Sequence, residues 1–144
     1  MLRSVELADY MVHKPVSVTA DANLFEAIHL ILVNKISGLC VVDEQQRLVG
    51  ILSEMDCLNG ILSAVYNESA IGDVGDFMTR DDLETAGPHD DIIAIAADML
   101  KKKKRRRPVV EGGKLVGQIT IRQILRAVKE FQAPIDASEH IDRP

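Results

Sequence analysis

Short apolar runs and polar turns follow one another along the chain in an order that predicts a β-α-β-β-α unit. Val16 to Val18 alternates apolar and polar positions as a short strand does. Asn23 to Asn34 then places Leu24, Ile28, Ile31 and Leu32 on one face at helical spacing, so this helix needs an apolar partner. Leu39 to Val42 and Leu48 to Leu52 are β-branched-rich runs on either side of the polar turn Asp43 to Arg47, the signature of a hairpin. A second helix is expected over Glu54 to Tyr66.

The same order then recurs. Asp9-Tyr10-Met11 returns as Asp76-Phe77-Met78, Leu32 as Leu100, Val41-Val42 as Val109-Val110, and Leu48-Val49-Gly50 as Leu115-Val116-Gly117. The offset is 67 or 68 residues throughout, and its one-residue changes fall before the first helix and in the turn Glu44 to Gln46 against Gly112-Gly113, where insertions cost least. The second-copy helices are expected over residues 90–103 and 122–131. This predicts two repeats, residues 8–66 and 76–132, joined by a polar linker over 67–75 and followed by a tail over 133–144. A unit of about 60 residues is marginal alone, whereas two such units can share one apolar interior. The expected fold is therefore α/β (α+β), with two β-α-β-β-α repeats packed through their sheets with pseudo-twofold symmetry.

Composition narrows the function classes. The 144 residues are 47% hydrophobic and 27% charged, which excludes a disordered or fibrous chain. No apolar stretch approaches the roughly 18 residues that span a bilayer, and the first residues have no signal-peptide centre, so a cytoplasmic protein with no membrane contact is expected. A net charge of -5 and 3% aromatic residues argue against a nucleic-acid surface or a base-stacking platform. Cys40 and Cys57 sit beside apolar residues outside any zinc-type spacing and read as reduced core residues. His13, His29, His89 and His140 are dispersed with no nucleophile-base or metal-ligand arrangement, so no enzyme and no metal are expected. Asp90-Asp91 reads as an N-cap pair, and Met11 and Met78 as packing residues.

Two stretches carry a family resemblance. They are Ile36-Ser37-Gly38-Leu39-Cys40-Val41-Val42-Asp43 with Arg47 to Asp56, and Arg106-Arg107-Pro108-Val109-Val110-Glu111 with Lys114 to Gln123. Each resembles a cystathionine-β-synthase (CBS) domain, and the tandem resembles a Bateman module over about Asp9 to Val128. The resemblance implies a regulatory module rather than a catalyst, without a required cofactor. It implies clefts between the copies that take an adenosine-containing ligand such as AMP, ADP, ATP or S-adenosylmethionine, and assembly into a homodimer. With no room for a fused enzyme, the chain is expected to be a stand-alone sensor acting on an unidentified protein target, with a structural dimerisation adaptor whose clefts are vestigial, or nucleic-acid binding through the basic run, as the alternative.

The resemblance also nominates ligand residues. Ser53-Glu54-Met55-Asp56 matches the family's Ser/Thr-x-x-Asp, whose carboxylate accepts hydrogen bonds from ribose hydroxyls; the same residues also form a capping box at a helix start, and both readings stand. In the second copy Thr120-Ile121-Arg122-Gln123 keeps the hydroxyl and replaces the acid with Gln, so Thr120 and Arg122 are candidates while Gln123 reads as a cap. Arg105 and Arg106 align with family positions that contact phosphate, which suits the bidentate guanidinium. Lys14, Val16 and Val18 match first-strand positions that reach across the clefts or line an adenine pocket, with a core role for the valines as the alternative. The seven basic residues Lys101 to Arg107 support three readings: lysines complementing the helix C-terminus, a phosphate site, or a nucleic-acid contact.

Overall fold

The computed structural model describes residues 4–131. The tail expected over 133–144 lies outside the described residues. After a one-turn 3-10 helix (Leu7–Asp9), the chain runs β1 (Val12–His13), β2 (Ser17–Thr19), α1 (Leu24–Asn34), β3 (Gly38–Val42), β4 (Leu48–Ser53) and α2 (Glu54–Tyr66). It continues through α3 (Val74–Phe77), α4 (Ile92–Lys102), β5 (Arg106–Glu111), β6 (Lys114–Thr120) and α5 (Ile121–Phe131). The mixed α/β fold with two sheets and flanking helices agrees with the sequence reading.

Local chemistry sets the element ends. Asn23 caps α1 through its side chain, which accepts from the Phe25 N–H at 2.8 Å, and α1 ends on Lys35 in the left-handed region at φ 53°. Asp91 caps α4 by accepting from the Ile93 N–H at 2.8 Å. Asp90 does not share that role, because its carboxylate accepts instead from the Gly87 N–H at 2.8 Å and closes the preceding turn.

Among the described residues, six of the eight with positive φ form pairs at the repeat spacing. Lys14 and Asp82 both have φ 52°, Lys35 and Lys103 have 53° and 56°, and Gln46 and Gly113 have 65° and 81°. Matched backbone irregularities of this kind identify a duplicated chain path as well as a duplicated sequence.

The copies are interlocked rather than side by side. β2, β3 and β4 form one sheet, with β2 parallel to β3 and β4 antiparallel to it. β1, at the start of the first copy, pairs antiparallel with β6 of the second through Val12 and Gln118. The reciprocal pairing joins Thr79, at the start of the second copy, to Ile51 of β4. The cores are exchanged accordingly: Leu7 and Met11 pack with Ile92, Met99, Val109 and Ile119, while Val74 and Met78 pack with Leu24, Leu39, Val41 and Leu52.

The expected linker therefore becomes helical at Val74, which is fully buried, and it hydrogen-bonds to the first copy through Val74 N–H to Ala22 C=O at 2.9 Å. Glycine makes both crossings possible. A Cβ on Gly50 would lie 2.6 Å from Met78 Sδ, and one on Gly117 would lie 2.5 Å from Met11 Sδ. Outside these cores, α2 leaves Met55, Leu58, Leu62 and Val65 exposed.

Candidate ligand-binding site

Residues of both copies meet around one open cleft of about 1880 Å³. Val12, Pro15 and Val16 come from the first strands, Ile36, Ser37 and Gly38 from the approach to β3, Arg105 and Arg106 from the start of β5, and Thr120 to Gln123 from the β6-α5 junction. Because β1 belongs to the second copy's sheet and β2 to the first copy's, the chain must cross between sheets at Lys14-Pro15, and this crossing brings Val16 to the cleft.

The floor is tied across the repeat. Arg106 Nη1 donates to the Gly38 carbonyl at 3.0 Å, and the Cys40 thiol donates to Gln118 Oε1 at 3.7 Å. Partial burial of Arg106 lowers its pKa from the ordinary arginine value, and Cys40 and Glu54 nearby oppose that shift. Burial pushes the Cys40 thiol up to about 11, opposed in part by Arg106. Arg106 thus spends one N–H on the partner repeat while lining the cleft. Arg105 is exposed there.

The two helix starts facing the repeat interface differ in one respect. At α2, Ser53 Oγ accepts from the Asp56 N–H at 3.1 Å and Asp56 Oδ2 accepts from the Ser53 N–H at 2.8 Å, a reciprocal capping box. Asp56 Oδ1 has no hydrogen-bond partner among the described residues. At α5, Thr120 Oγ1 accepts from the Gln123 N–H at 3.1 Å, but its own hydroxyl donates to Gln123 Oε1 at 2.8 Å. The longer Gln side chain folds onto the hydroxyl rather than back to the strand, so only half of the expected box forms.

Of the residues nominated from sequence, Val16, Arg105, Arg106, Thr120 and Arg122 line this cleft. Ser53 and Asp56 are half-buried at the start of α2 and do not line it. Lys14 is exposed at the crossing between sheets, and Val18 lies in the first core. The basic run is divided by position: Lys102 pairs with Asp98 and Glu84, each at 3.0 Å, and Arg107 is buried against Asp98 at 2.8 Å. The sequence reading did not single out Lys35, Arg126 and Lys129, which also line the cleft. The i, i+4, i+7 spacing of Arg122, Arg126 and Lys129 was the available signal for two of them.

Among the described residues, no group of three or more His, Cys, Asp or Glu side chains is placed to hold a metal ion. No helix there is long and apolar enough to cross a membrane.

The CBS domain family model matches the chain twice, over residues 7–63 and 74–130. The chain belongs to the CBS-domain family. This CBS pair is 36% identical over 121 residues to the inosine-5'-monophosphate dehydrogenase of Aquifex aeolicus, covering 83% of the chain and 24% of that enzyme. It therefore spans about a quarter of such dehydrogenases, and the shared part is their CBS portion. The mitochondrial CBS domain-containing protein CBSX3 of Arabidopsis thaliana is 30% identical over 113 residues, covering 76% of the chain and 54% of that protein. Among solved structures, CBSX2 in complex with AMP superposes with a TM-score of 0.79 at 27% identity, covering 90% of this chain and all of that one. The CBS domain pair of protein MJ0100, solved with 5'-methylthioadenosine and S-adenosyl-L-methionine, shares the fold at a TM-score of 0.72 and 24% identity.

Proposed function

We propose that this CBS pair is a regulatory module that binds an adenosine-containing ligand in the cleft between its copies and changes its affinity for a protein target when the ligand is bound. The observation that carries this reading is the meeting of Arg105 and Arg106 with Thr120, Gln123 and Val16 around one cleft. Guanidinium groups recognise phosphate bidentately, the Thr120 hydroxyl and Gln123 amide can exchange hydrogen bonds with ribose, and Val16 with Ile36 offers apolar wall to a purine. The complex of CBSX2 with AMP supports the ligand class.

Asp56 fits a second, pseudosymmetric ligand position, where Oδ2 keeps capping α2 and the open Oδ1 accepts from a ribose hydroxyl. Val18 and Lys14 are not used in this reading: the first packs in the core, and the second is exposed beside Pro15 without lining the cleft. A ligand held by residues of both copies stabilises the arrangement of copies that fits it, and the target reads that arrangement. A second copy of the chain covers the apolar outer face of α2.

Calorimetric titration with AMP, ADP, ATP, S-adenosylmethionine and NAD tests the reading. Saturable binding of at least one adenine nucleotide is expected. Arg106→Ala removes charge-assisted hydrogen bonds worth about 1.5–3 kcal/mol each, so affinity should fall by roughly tenfold or more. No saturable binding, or an Arg106→Ala protein that binds as the parent does, would overturn it.

A further inference from the structure

The lining of the cleft is unevenly charged. Lys35, Arg105, Arg106, Arg122, Arg126 and Lys129 face it against two carboxylates, Glu54 and Glu130, in a chain whose net charge is -5. Three of the cations, Arg122, Arg126 and Lys129, follow one another along a single face of α5 at spacings where like charges repel. Their first-copy equivalents, 67 residues earlier, are Met55, Asn59 and Leu62, so the cationic ridge belongs to the second copy alone. Among the described residues, none of the six pairs with a carboxylate within 4.0 Å, whereas Lys102 and Arg107 nearby are both paired. The volume of about 1880 Å³ also exceeds the roughly 300–1,000 Å³ of common small-molecule sites.

We propose that the cleft selects its nucleotide by phosphate number, taking a chain of three or more phosphates along the Arg122-Arg126-Lys129 ridge, with Arg105 and Arg106 at β5 holding the phosphates nearest the sugar. This rests on the cleft being the nucleotide site. A nucleoside monophosphate carries about two negative charges near neutral pH and a triphosphate about four, so only the longer chain offsets the excess of cations. S-adenosylmethionine brings a sulfonium cation and is repelled. A single-stranded nucleic acid is the less favoured polyanion, because no aromatic side chain among the described residues lines the cleft to stack its bases.

Calorimetry at one fixed salt concentration with AMP, ADP, ATP, inorganic tripolyphosphate, S-adenosylmethionine and a thymidine oligonucleotide separates the outcomes. ATP should bind at least about tenfold tighter than AMP, with ADP between them. In the Arg126→Gln/Lys129→Gln protein the affinity for ATP should fall toward that for AMP, and the melting temperature without nucleotide reports that the fold is retained. Measurable binding of tripolyphosphate alone would support the ridge as a phosphate reader. AMP binding as tightly as ATP would overturn selection by phosphate number and leave the nucleotide site standing. An oligonucleotide binding more tightly than ATP would overturn it by assigning the ridge to nucleic acid, and failure of every nucleotide to bind would overturn both proposals.

Discussion

Arg107 occupies the place in the second copy that Leu39 takes in the first: each lies in the first hairpin strand of its copy, paired with Ile119 and Leu52 respectively, and each is almost fully buried. Its Nη1 reaches Asp98 Oδ2 at 2.8 Å, while Nε and Nη2 are buried without a partner among the described residues. Asp98 is shared with Lys102, and hydrogen bonds from Lys102 and then Arg107 hold its carboxyl below the usual carboxylate range. Its contribution to stability is therefore present above the ordinary carboxylate pKa and is lost as the pH falls through the lowered folded value.

Asp98→Ala leaves the buried Arg107 guanidinium without its carboxylate partner, so it should lower the urea midpoint of unfolding. Arg107→Leu, which restores the first-copy residue, should be neutral or stabilising because it also removes the two unpaired N–H groups. The reverse order of the two variants would contradict this account of the second core. The sequence exposed the charge of Lys101 to Arg107 but not how the fold divides it. Alternation along β5 held the missing signal, since Arg107 stands two residues before the buried Val109.

At the scale of elements, helices were legible where a cap and a 3.6-residue period agree, as for α1 between Asn23 and Lys35 and α2 from Ser53. The exchange of β1 and α3 between copies was not, because Met11 and Met78 read as buried in either arrangement and nothing local tells one copy's core from the other's. Gly50 and Gly117 were the one trace: small residues inside apolar strands mark a close approach, here by the exchanged methionines.

The outer face of α2 has its own consequence. Met55, Leu58, Leu62 and Val65 lie exposed along it, and the proposed second copy removes them from water. Sedimentation of the protein should give a dimer that Leu58→Glu/Leu62→Glu converts to a monomer with unchanged helix content. A parent protein that sediments as a monomer at high concentration would contradict the assignment of that face.

For the whole molecule, the charge sum averages over a polarised surface. A net charge of -5 argued against a nucleic-acid surface, and cations at the end of α1, the start of β5 and along α5 nonetheless converge on one cleft once the copies interlock. The motif Ser53 to Asp56 was readable from the family pattern, but which cleft each residue faces depends on the crossing at Lys14-Pro15 and on packing between residues 68 apart, such as Arg106 and Gly38. That is why Arg105, Arg106 and Thr120 could be nominated singly while their meeting could not.

Nuclear magnetic resonance mapping of backbone amides with and without saturating ATP tests the central claim most directly. The account predicts the largest shifts at Val16, Gly38, Arg105-Arg106 and Thr120 to Gln123, residues that meet only through the pairing of the two copies. Shifts confined to one copy or to the outer face of α2, or a spectrum unchanged by ATP, would contradict it.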